Sequence, residues 1–335
     1  MSDKTIRVLV VDDSAFYRQL LSDLIGGVPG LEVVGTARDG ADALRRLPML
    51  RPDIITLDVQ MPRMDGLVTL EAILIQCPTP VIMVSSQTQR AADTALEALD
   101  RGALDYIAKP EYMDTDSTSF RDELIHKLRM MAGADVQRLL RIRSVRKQRL
   151  NREASQRKQH RIHCPEVLPD YQTCCVAIGI STGGPPALSS VFQALTPPLP
   201  PIVVVQHMPA KFTESFARRL DSISALSVRE ARTGDRIEPN CVLIAPGGRH
   251  LSVRRQQGDV VAQVREGELV SGHQPSVDVM MRSVIDVFGS RCLGVIMTGM
   301  GHDGASGGGM IRAAGGYVLG QDEASSDVYG MNKVA

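Results

Sequence analysis

Between residues 6 and 131 short apolar runs alternate with amphipathic segments five times: 6–11 then 20–25, 33–37 then 41–47, 54–57 then 67–75, 81–84 then 91–99, and 105–108 then 120–131. Apolar runs of this length read as strands buried on both faces, and each following segment can cross back over a sheet as a helix. That alternation specifies an α/β domain, a doubly wound parallel sheet covered by helices. At 335 residues the chain is about twice the usual domain length, so a second domain is expected beyond the first. A second series of apolar runs at 176–180, 202–206 and 293–297 supplies its strands.

In such sheets ligands bind at the carboxyl ends of the strands. There the first domain carries Asp12 and Asp13 after its first run, Asp58 after its third, Ser85 and Ser86 after its fourth and Lys109 after its fifth. Three carboxylates at one sheet edge repel each other unless a hard cation lies among them, and all-oxygen donors suit Mg²⁺. With that cation and Lys109 neutralising a phosphoryl group, Asp58 can attack phosphorus and become an aspartyl phosphate. Any one of these aspartates taken alone reads equally well as a turn or capping residue.

From Arg138 to Arg161 ten Lys or Arg accompany one Glu and no aromatic residue. Like charges at that density keep a segment solvated, so a connector, disordered or loosely helical, is expected over 131–171. The missing aromatic platforms argue against nucleic acid as a partner. Docking to an acidic surface is the alternative, and its affinity would fall with salt. Overall charge selects no partner, because the formal net charge is zero. No apolar run approaches the ~18 residues needed to cross a bilayer, and the first one runs into Asp12 and Asp13 instead of a cleavage site. A cytoplasmic protein without membrane insertion is expected. The six cysteines show no C-x-x-C spacing and several lie in apolar runs, as reduced buried thiols do.

The second domain holds a different chemistry. The run 176–180 ends at Ser181, and Gly179-Ile180-Ser181-Thr182-Gly183 fits the G-x-S-x-G pattern of a serine held on a sharp strand-to-helix turn. The next run, 202–206, ends at His207. Adjacent parallel strands put their carboxyl ends side by side, so His207 can act as general base toward Ser181. Asp303 follows the run 293–297 through a glycine turn and can orient His207, and backbone N–H groups from Gly299 to Gly301 are candidates for an oxyanion hole. Gly299-x-Gly301-x-x-Gly304 also fits a dinucleotide fingerprint, with Asp322 lying 18 residues after Gly304. That rival leaves Ser181 and His207 unexplained. The stretches 241–253 and 260–264, with Gln257-Gly258 between, read as an antiparallel β excursion, and His250 and His273 read as loop residues without a role.

L-V-V-D-D-S, L-D-V-Q-M-P-R-M-D-G, V-I-M-V-S-S and Y-I-A-K-P, in this order, resemble the receiver domain of two-component response regulators, a flavodoxin-like fold, over 1–130. By that resemblance Asp58 is the phosphoacceptor, Asp12, Asp13 and Asp58 hold Mg²⁺, helped by the Gln60 carbonyl, and Ser85 and Lys109 contact the phosphoryl group. It also implies a cis bond between Lys109 and Pro110. G-I-S-T-G-G-P-P-A-L, V-V-V-Q-H-M-P, A-P-G-G-R-H-L, Q-P-S-V-D-V and T-G-M-G-H-D-G-A resemble the catalytic domain of the chemotaxis protein-glutamate methylesterases over 172–335.

The second resemblance implies Ser181 as nucleophile, His207 as base, Asp303 as orienting acid, the Met300 backbone N–H as oxyanion donor and Thr182 as a neighbour in the site. It further implies hydrolysis of γ-glutamyl methyl esters on chemoreceptors, deamidation of receptor glutamines, and no cofactor for ester hydrolysis. A chemotaxis histidine kinase would be the phosphodonor, with an unphosphorylated receiver covering the catalytic cleft. The family usually has Gly-Met-Pro where this chain has Gly330-Met331-Asn332 and continues past Ala335, so truncation at the C-terminus is expected. The competing readings are a receiver-controlled binding module with a vestigial triad, which would release no methanol, and a small-molecule esterase.

Overall fold

The computed structural model describes residues 5–86, 88–110, 117–157 and 173–335. The chain divides into two compact units, Met1–Arg141 and Ile142–Ala335. The first unit runs β1 (Ile6–Val11), α1 (Ala15–Gly26), β2 (Leu31–Ala37), α2 (Gly40–Leu50), β3 (Ile54–Asp58), α3 (Gly66–Gln76), β4 (Val81–Ser85), α4 (Gln89–Arg101), β5 (Asp105–Ala108) and α5 (Ser117–Met131). Its five strands are parallel in the order β2-β1-β3-β4-β5. Val8 and Val10 pack with Leu21, Ile25, Leu124 and Leu128 on one face, while Leu9 and Val11 are buried on the other. Burial on both faces explains why these strands read as continuous apolar runs. The order reverses between β1 and β3, so the crevice at the switch point opens between Asp12 and Asp58.

Two details bear on that crevice. Among the described residues the cis peptide bonds precede Pro198 and Pro275, so the bond between Lys109 and Pro110 is trans, against the expectation. The Lys109 N–H extends the β4–β5 ladder to Ser85 O at 2.7 Å. Its ammonium reaches the acidic cluster from that trans backbone. Behind Asp58, α3 begins so close to β3 that a Cβ on Gly66 would lie 2.3 Å from Asp58 O and 2.9 Å from Val59 Cα. Gly66→Ala is expected to destabilise this unit by about 1–3 kcal/mol, read as a fall in its thermal midpoint.

The basic stretch forms α6 (Val136–Arg157), a regular helix as far as it is described. Arg, Leu, Lys and Gln are strong helix formers, which is why a segment too charged to have a core folds locally. Residues 158–171 of the expected connector lie outside the described residues.

The second unit continues with β6 (Cys175–Ile180), α7 (Gly184–Ala194), β7 (Ile202–Gln206), α8 (Phe212–Ile223), β8 (Ser227–Glu230), β9 (Cys241–Ile244), β10 (His250–Gln256), β11 (Asp259–Arg265), α9 (Val277–Phe288), β12 (Cys292–Ile296), α10 (Ala305–Ala313), β13 (Tyr317–Gly320) and α11 (Met331–Val334). Six strands form a parallel sheet in the order β13-β12-β6-β7-β9-β8. Of the named strands, β10 and β11 pair antiparallel, through a turn at Gln257 (φ 51°) and Gly258 (φ 93°). The expected antiparallel excursion is therefore smaller than its reading. β9 belongs to the central sheet, parallel to β7, because its four residues are buried on both faces and such a run carries no sign of direction.

α9 places Val277, Met280, Met281, Val284 and Phe288 at helical spacing against Ala177, Val203 and Leu243, forming the core under β6 and β7. Cys175, Cys241 and Cys292 are free and buried, and Cys164 lies outside the described residues. No described helix is long and apolar enough to cross a membrane.

Candidate active site

β6 is flanked by β7 on one side and β12 on the other, so the carboxyl ends of three neighbouring strands deliver Ser181, His207 and the turn leading to Asp303. After β6 the chain turns through Gly183 at φ 75°, a left-handed conformation, into α7, whose first turn carries Pro185 and Pro186. Three bonds fix the serine backbone. Ser181 N donates to Thr298 O at 3.0 Å, and Ser181 O accepts from Gly184 N at 2.8 Å and Gln206 Nε2 at 2.9 Å. Thr182, buried beside it, accepts through its carbonyl from Thr298 Oγ1 at 3.0 Å.

His207 Nε2 lies 2.9 Å from Asp303 Oδ2. An ionised carboxylate has no proton to give, so Nε2 carries the hydrogen and Nδ1 keeps the basic lone pair. Nδ1 is buried with no hydrogen-bond partner among the described residues. The Ser181 hydroxyl is thus not bonded to it in this structure, and catalytic hydrogen bonds often close only in a substrate complex.

Asp303 is fully buried, yet both oxygens are satisfied. Oδ2 also accepts from Val277 N at 2.7 Å, and Oδ1 accepts from Ser276 Oγ at 2.8 Å and Asp278 N at 3.1 Å. Those donors are the N-cap and first turn of α9, where a helix favours negative charge. Burial pushes this carboxyl up. The hydrogen bond and charge of His207, with the Val277 and Asp278 N–H groups, outweigh that and hold it below the usual carboxylate range. Asp278 returns the service to α10: its Oδ1 accepts from Gly304 N at 3.0 Å and Gly307 N at 2.7 Å. Each carboxylate caps the helix that carries, or follows, the other.

The turn from Gly299 to Gly301 divides its N–H groups. Gly299 N donates to Val328 O at 3.1 Å, which removes it from the expected oxyanion set. Met300 N and Gly301 N donate to no described group. Asn332, the departure from Gly-Met-Pro, is accommodated: its Nδ2 donates to Gln321 O at 2.7 Å and to Ser326 Oγ at 2.8 Å. His250 departs from the loop reading, whereas His273 lies in a turn as read. His250 opens β10, is buried, accepts from Ser276 N at 3.2 Å and donates through Nε2 to Glu268 O at 2.8 Å. His273 stacks on His207, with ring centroids 3.7 Å apart and planes 12° apart. Neither Ser276 nor Asp278 was singled out for a role by sequence, because their partners lie some 25 residues away.

In the first unit, carboxylate oxygens of Asp12, Asp13 and Asp58 lie within 4.8 Å of one another. Lys109 Nζ is 2.7 Å from Asp12 Oδ2 and 2.9 Å from Asp58 Oδ2, above the Tyr17 ring. Burial pushes the Asp58 carboxyl up to about 6, with Lys109 opposing the rise and Asp12 adding to it. Burial would lower the Lys109 ammonium, but the Asp58 and Asp12 charges outweigh it and raise it. One ammonium against three acidic groups leaves the cluster short of positive charge, and its hard oxygen donors fit Mg²⁺. Ser85 ends β4 beside Lys109, with its hydroxyl bonded to Ala91 O at 3.2 Å and Ser86 O at 3.4 Å rather than to the acidic cluster.

Comparison with known proteins extends this geometry. A model described as CheB methylesterase matches residues 176–335, and one described as response regulator receiver domain matches residues 8–116. A protein-glutamate methylesterase/protein-glutamine glutaminase of Symbiobacterium thermophilum is 44% identical over 100% of this chain and 92% of its own length. The chain belongs to the protein-glutamate methylesterase/protein-glutamine glutaminase family. Another member, from Pyrococcus horikoshii, is 42% identical over 99% of this chain and 88% of its own. Among solved structures, the Thermotoga maritima CheB methylesterase catalytic domain is 40% identical, with 48% of this chain and 86% of that one covered and a TM-score of 0.47.

Proposed function

We propose that this protein hydrolyses methyl esters of glutamate side chains on chemoreceptors, releasing methanol, and deamidates receptor glutamines at equivalent positions, under control of phosphorylation at Asp58. The observation that carries the reading is the His207–Asp303 pair at 2.9 Å, delivered by the strands on either side of β6, with an Nδ1 that has no partner among the described residues. Ser181 attacks the ester carbonyl as Nδ1 takes its proton, and the imidazolium formed is stabilised by Asp303. Met300 N–H, which donates to no described group, serves as oxyanion donor, and Thr182 shapes the site beside the nucleophile. The same His207 proton then goes to the methoxide leaving group, giving methanol and an acyl-enzyme that water opens. An amide follows the same course with ammonia leaving.

In the receiver, Asp12, Asp13 and Asp58 would hold Mg²⁺, which supplies positive charge against the phosphoryl oxygens when bound. Asp58 is the phosphoacceptor, Lys109 steadies the phosphoryl group, and Ser85 reaches it once its hydroxyl turns from Ala91. A chemotaxis histidine kinase is the donor, and a cytoplasmic location follows from these partners. The family relationship disfavours the vestigial-triad reading.

The test is methanol release from receptor fragments methylated with a tritiated methyl group, with and without acetyl phosphate. Stimulation by acetyl phosphate is expected in the wild type and none in Asp58→Asn, so the ratio of the two rates falls to about one. Equal stimulation in that variant would remove Asp58 as the phosphosite. Turnover of small soluble esters as fast as receptor ester would favour a general esterase.

A further inference from the structure

His273, stacked on the His207 ring, has no place in the proton transfer just described. His273 lies on a two-residue turn, where Val270 and His273 exchange backbone hydrogen bonds of 3.1 and 3.0 Å around Ser271 (φ 53°) and Gly272 (φ 78°). The flanks of that turn are tied down. Ser271 Oγ donates to Asp278 Oδ2 at 3.2 Å, Gln274 O accepts from Gly248 N at 3.2 Å, and Ser276 N donates to the buried His250 ring. A tight turn anchored on both sides holds the ring it carries in one place.

The His207 ring, by contrast, has one hydrogen bond besides its covalent link to Cβ. Its Nε2 is bonded to Asp303 and its Nδ1 to nothing among the described residues. The covalent link at Cγ and one hydrogen bond at Nε2 hold two points of an imidazole and leave the ring to rock about the line that joins them. A flat ring pressed on its face at 3.7 Å and 12° removes that freedom. The same ring also stands where water would otherwise reach the face of the imidazolium and offers its π-cloud to the charge. The far edge of His273 points toward the oxyanion turn, since its Nε2 lies 4.0 Å from where a Cβ on Gly301 would be.

We infer that His273 is a positioning residue for the hydrolysis, a stacking plate that holds His207 in the plane where Nδ1 meets the Ser181 proton. The inference rests on the proposed function of the site. It predicts an effect on turnover rather than on substrate affinity, since the plate acts through His207 and not through the substrate. It also predicts that shape matters more than the ring nitrogens.

The experiment measures kcat and KM for methanol release from a tritiated-methyl receptor fragment, using the full chain with acetyl phosphate and Mg²⁺ in every arm. His273→Ala is expected to lose about tenfold in kcat with KM within about twofold of wild type. His273→Phe, which keeps a flat ring, is expected to recover to within about threefold. An Ala variant with kcat within about twofold of wild type, a loss carried by KM, or a Phe variant no better than Ala would each overturn the inference. If His273→Ala no longer unfolds cooperatively, His273→Phe against His273→Gln decides on the same criterion, with Gln expected to lose and Phe to retain. Ser181→Ala in the same assay separates the two failures: an active Ser181→Ala sinks the reading of the whole site, whereas an inactive one beside a normal His273→Ala sinks only the role of the plate.

Discussion

Ser181→Ala is expected to lower receptor demethylation by at least about 10,000-fold, with the folded state intact. Members of a nucleophile–base–acid set act as a unit, so losing the nucleophile costs nearly as much as losing the set. What survives is what binding and the oxyanion N–H groups give without an attacking oxygen. The small change in volume makes folding an easy control. Ser181 is only partly buried, its backbone bonds to Thr298, Gly184 and Gln206 do not involve the hydroxyl, and its Oγ makes no described hydrogen bond whose loss would strand a partner. The measurement is tritiated methanol release alongside a thermal melt. Methanol release within about tenfold of wild type from a well-folded variant would move the chemistry elsewhere.

The second large effect is at Asp303. Asp303→Asn is expected to lower kcat by about 1,000- to 10,000-fold, the range for an orienting acid turned into an amide. An amide oxygen can accept from His207 Nε2 only if the NH₂ group faces the N–H and O–H donors of α9, where it would oppose donor to donor. Either orientation breaks bonds that the carboxylate makes. A fall in thermal midpoint of the second unit should therefore accompany the loss of turnover. The pH dependence has a matching sign. Because the Asp303 carboxyl is held below its usual range, its contribution to stability is fully present above that range and disappears as pH falls through the lowered value. Loss of stability with acid in the wild type that is blunted in Asp303→Asn is the expected comparison by calorimetry. Parallel acid curves for the two would contradict the assignment.

The strand ends of both sheets were legible in the sequence because each apolar run is punctuated by a polar residue at its carboxyl end. Asp12, Asp58 and Lys109 meet as their spacing implies, and the registers of β6, β7 and β12 bring Ser181, His207 and the turn that carries Asp303 to neighbouring strand ends. β9 misled because apolar residues on both faces fix burial without direction. The bonds around Asp303 were hidden for another reason: Ser276, Val277 and Asp278 reach it only after α9 has docked across the sheet, a tertiary event with no local signature. His273 was hidden likewise, since a turn residue reads as a turn residue whatever ring it is laid against.

The mutual exchange between Asp278 and Asp303 carries a consequence for how this hydrolase fails. Asp303, the orienting acid of the proposed mechanism, doubles as a clasp between two helix tips, so it stands within the framework and not on a loose loop. Heat or denaturant that frees the first turn of α9 releases His207 from its partner at once. Inactivation and melting of the second unit should run together, leaving no interval in which a folded but idle enzyme accumulates.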